Sequence, residues 1–218
     1  MAVYDLEEQE QISQIKAWWE QYGKYVTTIA LAAALSSVGW QGYQWHQNKQ
    51  ASEAALLYHA VQQAAERGEA ARAREAAGQV IERFSRSAYA EMAALVSAGA
   101  QFDAGDFQNA RAHLEWLRNN SRDPMLKDIA RLRLATVLLA EGEYAAALTA
   151  LDGAPARGLE ARYADLRGDA LAAQGEYPRA ADAWRAALEA LAGSTSEGAD
   201  SLAEVIRVKL ESLESLES

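Results

Sequence analysis

The sequence predicts an all-α fold, with one N-terminal membrane-spanning helix followed by a solenoid of stacked helix pairs. Three observations predict it. Between Lys24 and Lys49 there is no Asp, Glu, Lys or Arg. The remainder is rich in Ala, Leu, Glu and Arg and holds only three Pro, a composition that favours helices. A short phrase, Gly-acidic-aromatic-x-x-Ala, recurs at nearly fixed spacing.

Residues 1–24 read as a cytoplasmic acidic amphipathic tail, helical over about 5–22. Ile12, Ile15, Trp19 and Tyr22 share one helical face. Such a face either docks a cytoplasmic partner or seats the chain at a membrane interface through its aromatic rings. Residues 25–46 read as the anchor, in a helix that runs on to about 66. From Tyr25 to Trp45 the segment just reaches across about 30 Å of hydrocarbon at about 1.5 Å per residue. Tyr25 stands at one end, and Trp40, Tyr43 and Trp45 at the other, as aromatic belts do. The alternative for this segment is a buried core helix. A cleaved signal peptide fits worse. The preceding stretch carries Asp5, Glu7, Glu8, Glu10 and Glu20 against Lys16 and Lys24, not a basic start. The segment therefore reads as an uncleaved signal anchor. Lys16 and Lys24 before it, against Lys49 after it, favour a cytoplasmic N-terminus. Ala32, Ser36 and Gly39 line up as small residues that admit a second transmembrane helix, although an Ala-rich helix gives such rows by composition alone.

Net charge is −10. That disfavours nucleic acid, whose binding rewards Lys and Arg through counterion release. With no Cys, disulfides and thiol chemistry are excluded. No run of alternating β-branched residues reads as a strand.

The phrase occurs as Gly105-Asp106-Phe107-Gln108-Asn109-Ala110, Gly142-Glu143-Tyr144-Ala145-Ala146-Ala147 and Gly175-Glu176-Tyr177-Pro178-Arg179-Ala180. A copy without the aromatic starts at Gly68. The Gly positions step by 37, 37 and 33, close to the 34-residue period of tetratricopeptide helix pairs. The Gly supplies the αL turn that ends one helix, and the acid opens the next, where the helix dipole favours it. The aromatic ring packs in the crook of the turn. Seven residues before each clear Gly stand Ala98, Ala135 or Gly168, small enough for a close crossing. Nine residues after it stand Leu114, Leu151 or Trp184, bulky plugs for each pair.

The array accordingly occupies 47–192, with loops near 85–87, 119–124 and 153–158. Residues 193–218 form a linker over 193–200 and a capping helix over about 200–213, with a low-complexity, fraying end. The three His have no metal spacing and no Cys beside them. No phosphate-binding Gly loop or nucleophile elbow is present. No cofactor or metal is expected, and the chain reads as non-catalytic. The inner faces of the first helices of each pair carry the candidate partner contacts: Phe102, Thr136, Leu139, Arg162, Asp165 and Asp169. The last two could also be read as an acid/base pair, but no convergent third group accompanies them.

The order of parts resembles a known family. Lys16-Ala17-Trp18-Trp19 and Gly23-Lys24 lead to a span ending at Gly39-Trp40. Ala54-Ala55-Leu56-Leu57-Tyr58 then opens an Ala-rich array containing Tyr163-Ala164-Asp165-Leu166-Arg167-Gly168-Asp169-Ala170-Leu171. This resembles the YfgM-like ancillary subunit of the bacterial SecYEG translocon over nearly the whole chain. The 193–200 linker and the acidic C-terminal tail depart from that pattern. The resemblance implies an inner-membrane protein with one span and a periplasmic array. It implies association with SecYEG and with PpiD, a membrane-anchored periplasmic chaperone, and help in handing newly translocated polypeptides to chaperones. It also implies, as an alternative, that the N-terminal tail sequesters a cytoplasmic stress-response regulator.

Overall fold

Each Gly of the repeated phrase stops one helix and turns the chain into the next. The computed structural model describes the backbone of residues 2–192 and 198–217, and the side chains of 12–192 and 198–213. The helices are α1 (Ala2–Glu66), α2 (Ala70–Phe84), α3 (Ala88–Asp103), α4 (Phe107–Asn120), α5 (Pro124–Ala140), α6 (Tyr144–Ala150), α7 (Glu160–Ala173), α8 (Tyr177–Leu191) and α9 (Ala199–Glu217). They fall into two units, Met1–Ser52 and Glu53–Ser218. No strand occurs among the described residues.

In the second unit the turn chemistry repeats. Gly68, Gly105, Gly142 and Gly175 have φ of 70, 75, 77 and 79°, which costs little without a Cβ. At Gly105 its own N–H donates to the Phe102 carbonyl (2.9 Å) and the Asp106 N–H to the Gln101 carbonyl (2.8 Å). That is the Schellman pattern, which satisfies carbonyls a helix end would leave open. The other three turns make the same pair of bonds. Asp106 also caps α4 by accepting from the Asn109 N–H. Pro124 and Pro178 sit in first turns, where the missing N–H removes nothing.

The small residues of the phrase, Ala110, Ala147 and Ala180, are fully buried. Ala98, Ala135, Leu114, Leu151 and Trp184 are buried with them, so close crossing and plug fall where the spacing puts them. At Gly168 the fit is tightest: a Cβ would lie 2.4 Å from Trp184 Nε1. The aromatic position is less uniform. Phe107 packs on Phe102 with ring centroids 5.4 Å apart, whereas Tyr177 remains 40% exposed. Leu57, Tyr58 and Val61, late in α1, pack on Ala77, Val80 and Ala90, which makes this stretch the first helix of the array. Ile206 and Leu213 of α9 pack with Leu171 and Trp184. Residues 193–197 of the expected linker lie outside the described residues, as do the side chains of 214–218 and of the tail acids Asp5, Glu7, Glu8 and Glu10.

The first unit differs from expectation in two respects. The tail and anchor helices are not separate, for α1 continues through Gly23. Gly23 accommodates the Trp19 ring, 3.1 Å from where a Cβ would stand, and with no Pro nearby nothing stops the helix. Second, no helix among the described residues is long and apolar enough to cross a membrane. The span expected over 25–46 falls short because Thr27, Thr28, Ser36, Ser37, Gln41 and Gln44 dilute its apolar residues. Three of those hydroxyls are nevertheless satisfied inside the helix. Thr27 Oγ1 donates to the Gly23 carbonyl (2.9 Å), Thr28 Oγ1 to Lys24 (2.7 Å) and Ser36 Oγ to Ala32 (2.8 Å). Ile29, Leu31, Leu35, Val38 and Trp40 are all exposed.

Candidate functional site

The six candidate contact residues separate into two groups and two single residues. Phe102 and Thr136 share a cavity of about 280 Å³ between α3 and α5, floored by Ala98, Leu114 and Val137 and flanked by Gly99, Asp103 and Arg133. These are first helices of adjacent pairs, so the repeat places the two side chains together although 34 positions separate them. The Thr136 hydroxyl donates to the Leu132 carbonyl (3.2 Å). Leu139 packs partly buried against the core of the same repeats, and Arg162 stands exposed on α7.

Asp165 and Asp169 form the second group, one turn apart on α7. Both are engaged from within the chain. Lys209 of α9 donates to Asp165 Oδ1 (2.7 Å) and Asp169 Oδ2 (2.9 Å). Trp184 Nε1 donates to the Asp165 carbonyl and to Asp169 Oδ1, each at 3.2 Å. Asp165 is buried, at 9% exposure. Burial pushes its carboxyl above the ordinary range, against the pull of the Lys209 hydrogen bond, and the charge of Asp169 adds to the rise. Burial likewise acts to lower the Lys209 ammonium, but the hydrogen bonds to the two carboxylates outweigh it and raise the pKa. The pair thus fastens the last helix to the array. No cluster of three metal-ligating side chains occurs among the described residues.

A further polar cluster escaped the sequence reading. Asp128 of α5 is buried. Its Oδ1 accepts from Arg131 (2.8 Å), its Oδ2 from the Ala156 N–H (2.7 Å), and its carbonyl from the Tyr163 hydroxyl (2.9 Å). Arg131 and Arg167 donate to the carbonyls of Ala150 and Leu151 (3.1 and 2.9 Å). The connection from α6 to α7 is held by these bonds. Burial pushes the Tyr163 phenol up to about 12, opposed by Arg131 and helped by Asp128. The one sequence signal was Asp128-x-x-Arg131, a helical i,i+3 pair that is usually only a surface contact.

Ala32, Ser36 and Gly39 lie on one face of α1, all exposed, and open space lies where a Cβ of Gly39 would point.

Comparison with known proteins places this architecture. A family model described as a tetratricopeptide repeat-like domain matches residues 16–215. The chain is 32% identical over 216 residues to the ancillary SecYEG translocon subunit of Neisseria gonorrhoeae, covering 95% of this chain and 98% of that protein. It is 31% identical over 173 residues to the protein of that name in Haemophilus influenzae, covering 79% and 84%. With the protein so named in Escherichia coli K12 it shares 28% over 213 residues, covering 98% and 99%. On this similarity, and on a described body of helix pairs closed by four matching Gly turns, the chain belongs to the ancillary SecYEG translocon subunit family, with a tetratricopeptide repeat-like domain.

Proposed function

We propose that this chain is a non-catalytic adaptor anchored beside the SecYEG translocon. The 25–46 segment of α1 lodges in the inner membrane with the N-terminus cytoplasmic. The array stands on the periplasmic side, where it meets emerging polypeptides and a membrane-anchored, PpiD-like chaperone at high effective concentration. The observation that carries this reading is similarity along nearly the whole chain to proteins named as translocon subunits. The match includes the charge-free part of α1 as well as the array.

The marginal apolarity of that segment fits an anchor beside other membrane helices. Hydroxyls that bond to their own helix carbonyls lose much of their polar cost in lipid. The exposed apolar side chains can face lipid while the Ala32–Ser36–Gly39 face admits a neighbouring helix. Phe102, Thr136, Leu139 and Arg162 remain candidate contacts of the array. Asp165 and Asp169 would contribute by keeping α9 in place.

The test is affinity purification of the full-length chain from detergent-solubilised membranes, with its partners quantified by mass spectrometry. Enrichment of translocon components over other inner-membrane proteins supports the adaptor. A protein recovered from membranes with no such enrichment contradicts it.

A further inference from the structure

Nine Thr, Ser, Gln, Asn and His side chains lie between Lys24 and Lys49, and they fall into two sets. Five bond within their own helix. Thr27, Thr28 and Ser36 donate to backbone carbonyls one turn back. Gln47 Nε2 donates to the Tyr43 hydroxyl (2.9 Å), and the His46 ring lies 3.0 Å from the Gln50 amide. The other four, Ser37, Gln41, Gln44 and Asn48, are exposed and have no side-chain partner among the described residues.

Those four share one side of α1. At about 100° per residue, positions 37, 41, 44 and 48 fall within an arc of about 60°. Ala30 and Ala34 carry the same line toward the N-terminus. The steps along 30, 34, 37, 41, 44 and 48 therefore alternate between four and three, which is the seam of a left-handed helix pair. Its small residues let a second backbone come close. The seam lies on the far side of the helix from Ala32, Ser36 and Gly39.

With residues 25–46 in a bilayer, Ser37 and Gln41 stand on the lipid side of Tyr43 and Trp45. A hydroxyl there can fall back on a carbonyl of its own helix, but an amide offers two donors and an acceptor. Leaving it unmet in hydrocarbon is costly. A second copy supplies what it lacks. Copies with the same flanking charges enter the membrane the same way round, so two of them lie parallel with equal positions at equal depth. Gln41 then meets Gln41 and Gln44 meets Gln44, and an amide is its own complement. The seam carries no charge, so the copies do not repel along it.

We propose that α1 pairs in parallel with α1 of a second copy along this seam, with Gln41 and Gln44 each bonded to its counterpart. The pairing withdraws from lipid the amides that dilute the segment's apolarity. It leaves the Ala32–Ser36–Gly39 face free for a different neighbour, so that two arrays stand at one place. It rests on the lodging of residues 25–46 in the membrane.

The absence of Cys makes a direct test available. Ala34→Cys and Ser37→Cys on the seam, and Leu35→Cys and Gly39→Cys off it, are introduced singly into the full-length protein and oxidised in intact membranes. A disulfide needs Cα atoms within about 7 Å, so the two seam positions should give about tenfold more linked dimer than the other two. Adding Gln41→Met and Gln44→Met, which keep side-chain length and remove the amides, should lower the yield at position 37 about tenfold. The protein should stay resistant to carbonate extraction, since the change makes the segment more apolar. Equal yields at the four positions overturn the proposal, as does a yield at position 37 that the Met pair leaves unchanged. So does a photoreactive residue at position 41 whose adducts hold lipid or another protein and no second copy. Extraction separates the two ways of failing. A carbonate-resistant protein with no seam-specific dimer removes the pairing alone, whereas an extractable one removes the membrane lodging and the pairing with it.

Discussion

The Lys209 ammonium lies 2.7 Å from Oδ1 of Asp165, 44 residues away, and ties the capping helix to the last full repeat. Both side chains are largely out of water, at 26% and 12% exposure. Removing one partner of such a pair strands the other charge, which costs about 3–5 kcal/mol. Lys209→Ala should therefore release α9 first. Amide exchange should accelerate across Ala199–Leu213 before the central repeats are affected. Lys209→Met together with Asp165→Asn and Asp169→Asn should recover most of the loss. Unchanged exchange in Lys209→Ala would mean that the apolar contacts of Ile206 and Leu213 hold the helix alone.

Alkaline pH should loosen the array in a defined window. The folded pKa of Tyr163 is raised to about 12 from 10.0. The stability it contributes is complete below 10.0 and is lost as pH rises through about 12. Lys209 is also raised above its ordinary 10.5, so its contribution fades in the same direction. Tyr163→Phe should flatten the dependence between pH 10 and 12 seen in thermal melts, and should remove the last phenol to ionise in an absorbance titration. A wild-type protein with flat stability across that window would contradict the assignment.

Asp128→Ala should cost about 3 kcal/mol, because a buried carboxylate with several donors is lost at once. The effect should centre on the connection between α6 and α7. Proteolysis within residues 152–158 should appear in the variant and not in the wild type.

Two glycines should respond in opposite directions. Gly168→Ala forces a methyl against Trp184 and should destabilise by about 1–3 kcal/mol. Gly78, exposed in α2, has open space around its missing Cβ. Gly78→Ala should stabilise by about 0.5–1 kcal/mol through helix propensity. Chemical denaturation of the two variants checks both signs.

The repeats were legible because their signals are local. A Gly at φ near 75° with a small residue seven before it and a plug nine after it leaves little choice of geometry, and Gly105, Gly142 and Gly175 all follow it. What the sequence hid is of longer range. Lys209 is the only Lys beyond Lys127, but nothing local says that it turns to α7 rather than to solvent. Asp128 reads as an ordinary surface acid until Ala156 and Tyr163 are folded against it. Gly23, between the expected tail and anchor helices, is the seat of the Trp19 ring. The candidate contacts were legible as faces of helices. That Asp165 and Asp169 already hold a cation depends on a helix beginning some 30 residues later.

The proposed lodging of residues 25–46 in the membrane makes its own prediction. Ile29 is exposed on α1, and a Lys at the centre of a spanning helix costs roughly 3 kcal/mol of insertion free energy. Ile29→Lys should shift the protein from the carbonate-resistant membrane fraction to the extractable one. Ala30→Leu should do the opposite.

If α1 seats the array beside the translocon, a photoreactive residue at position 36 of the protein in intact membranes will meet a neighbouring membrane helix. Crosslinking should give a dominant adduct to a translocon or chaperone membrane helix, identified by mass spectrometry and abolished by Ile29→Lys. Adducts to lipid alone, or a protein crosslinked only to soluble partners, would contradict it.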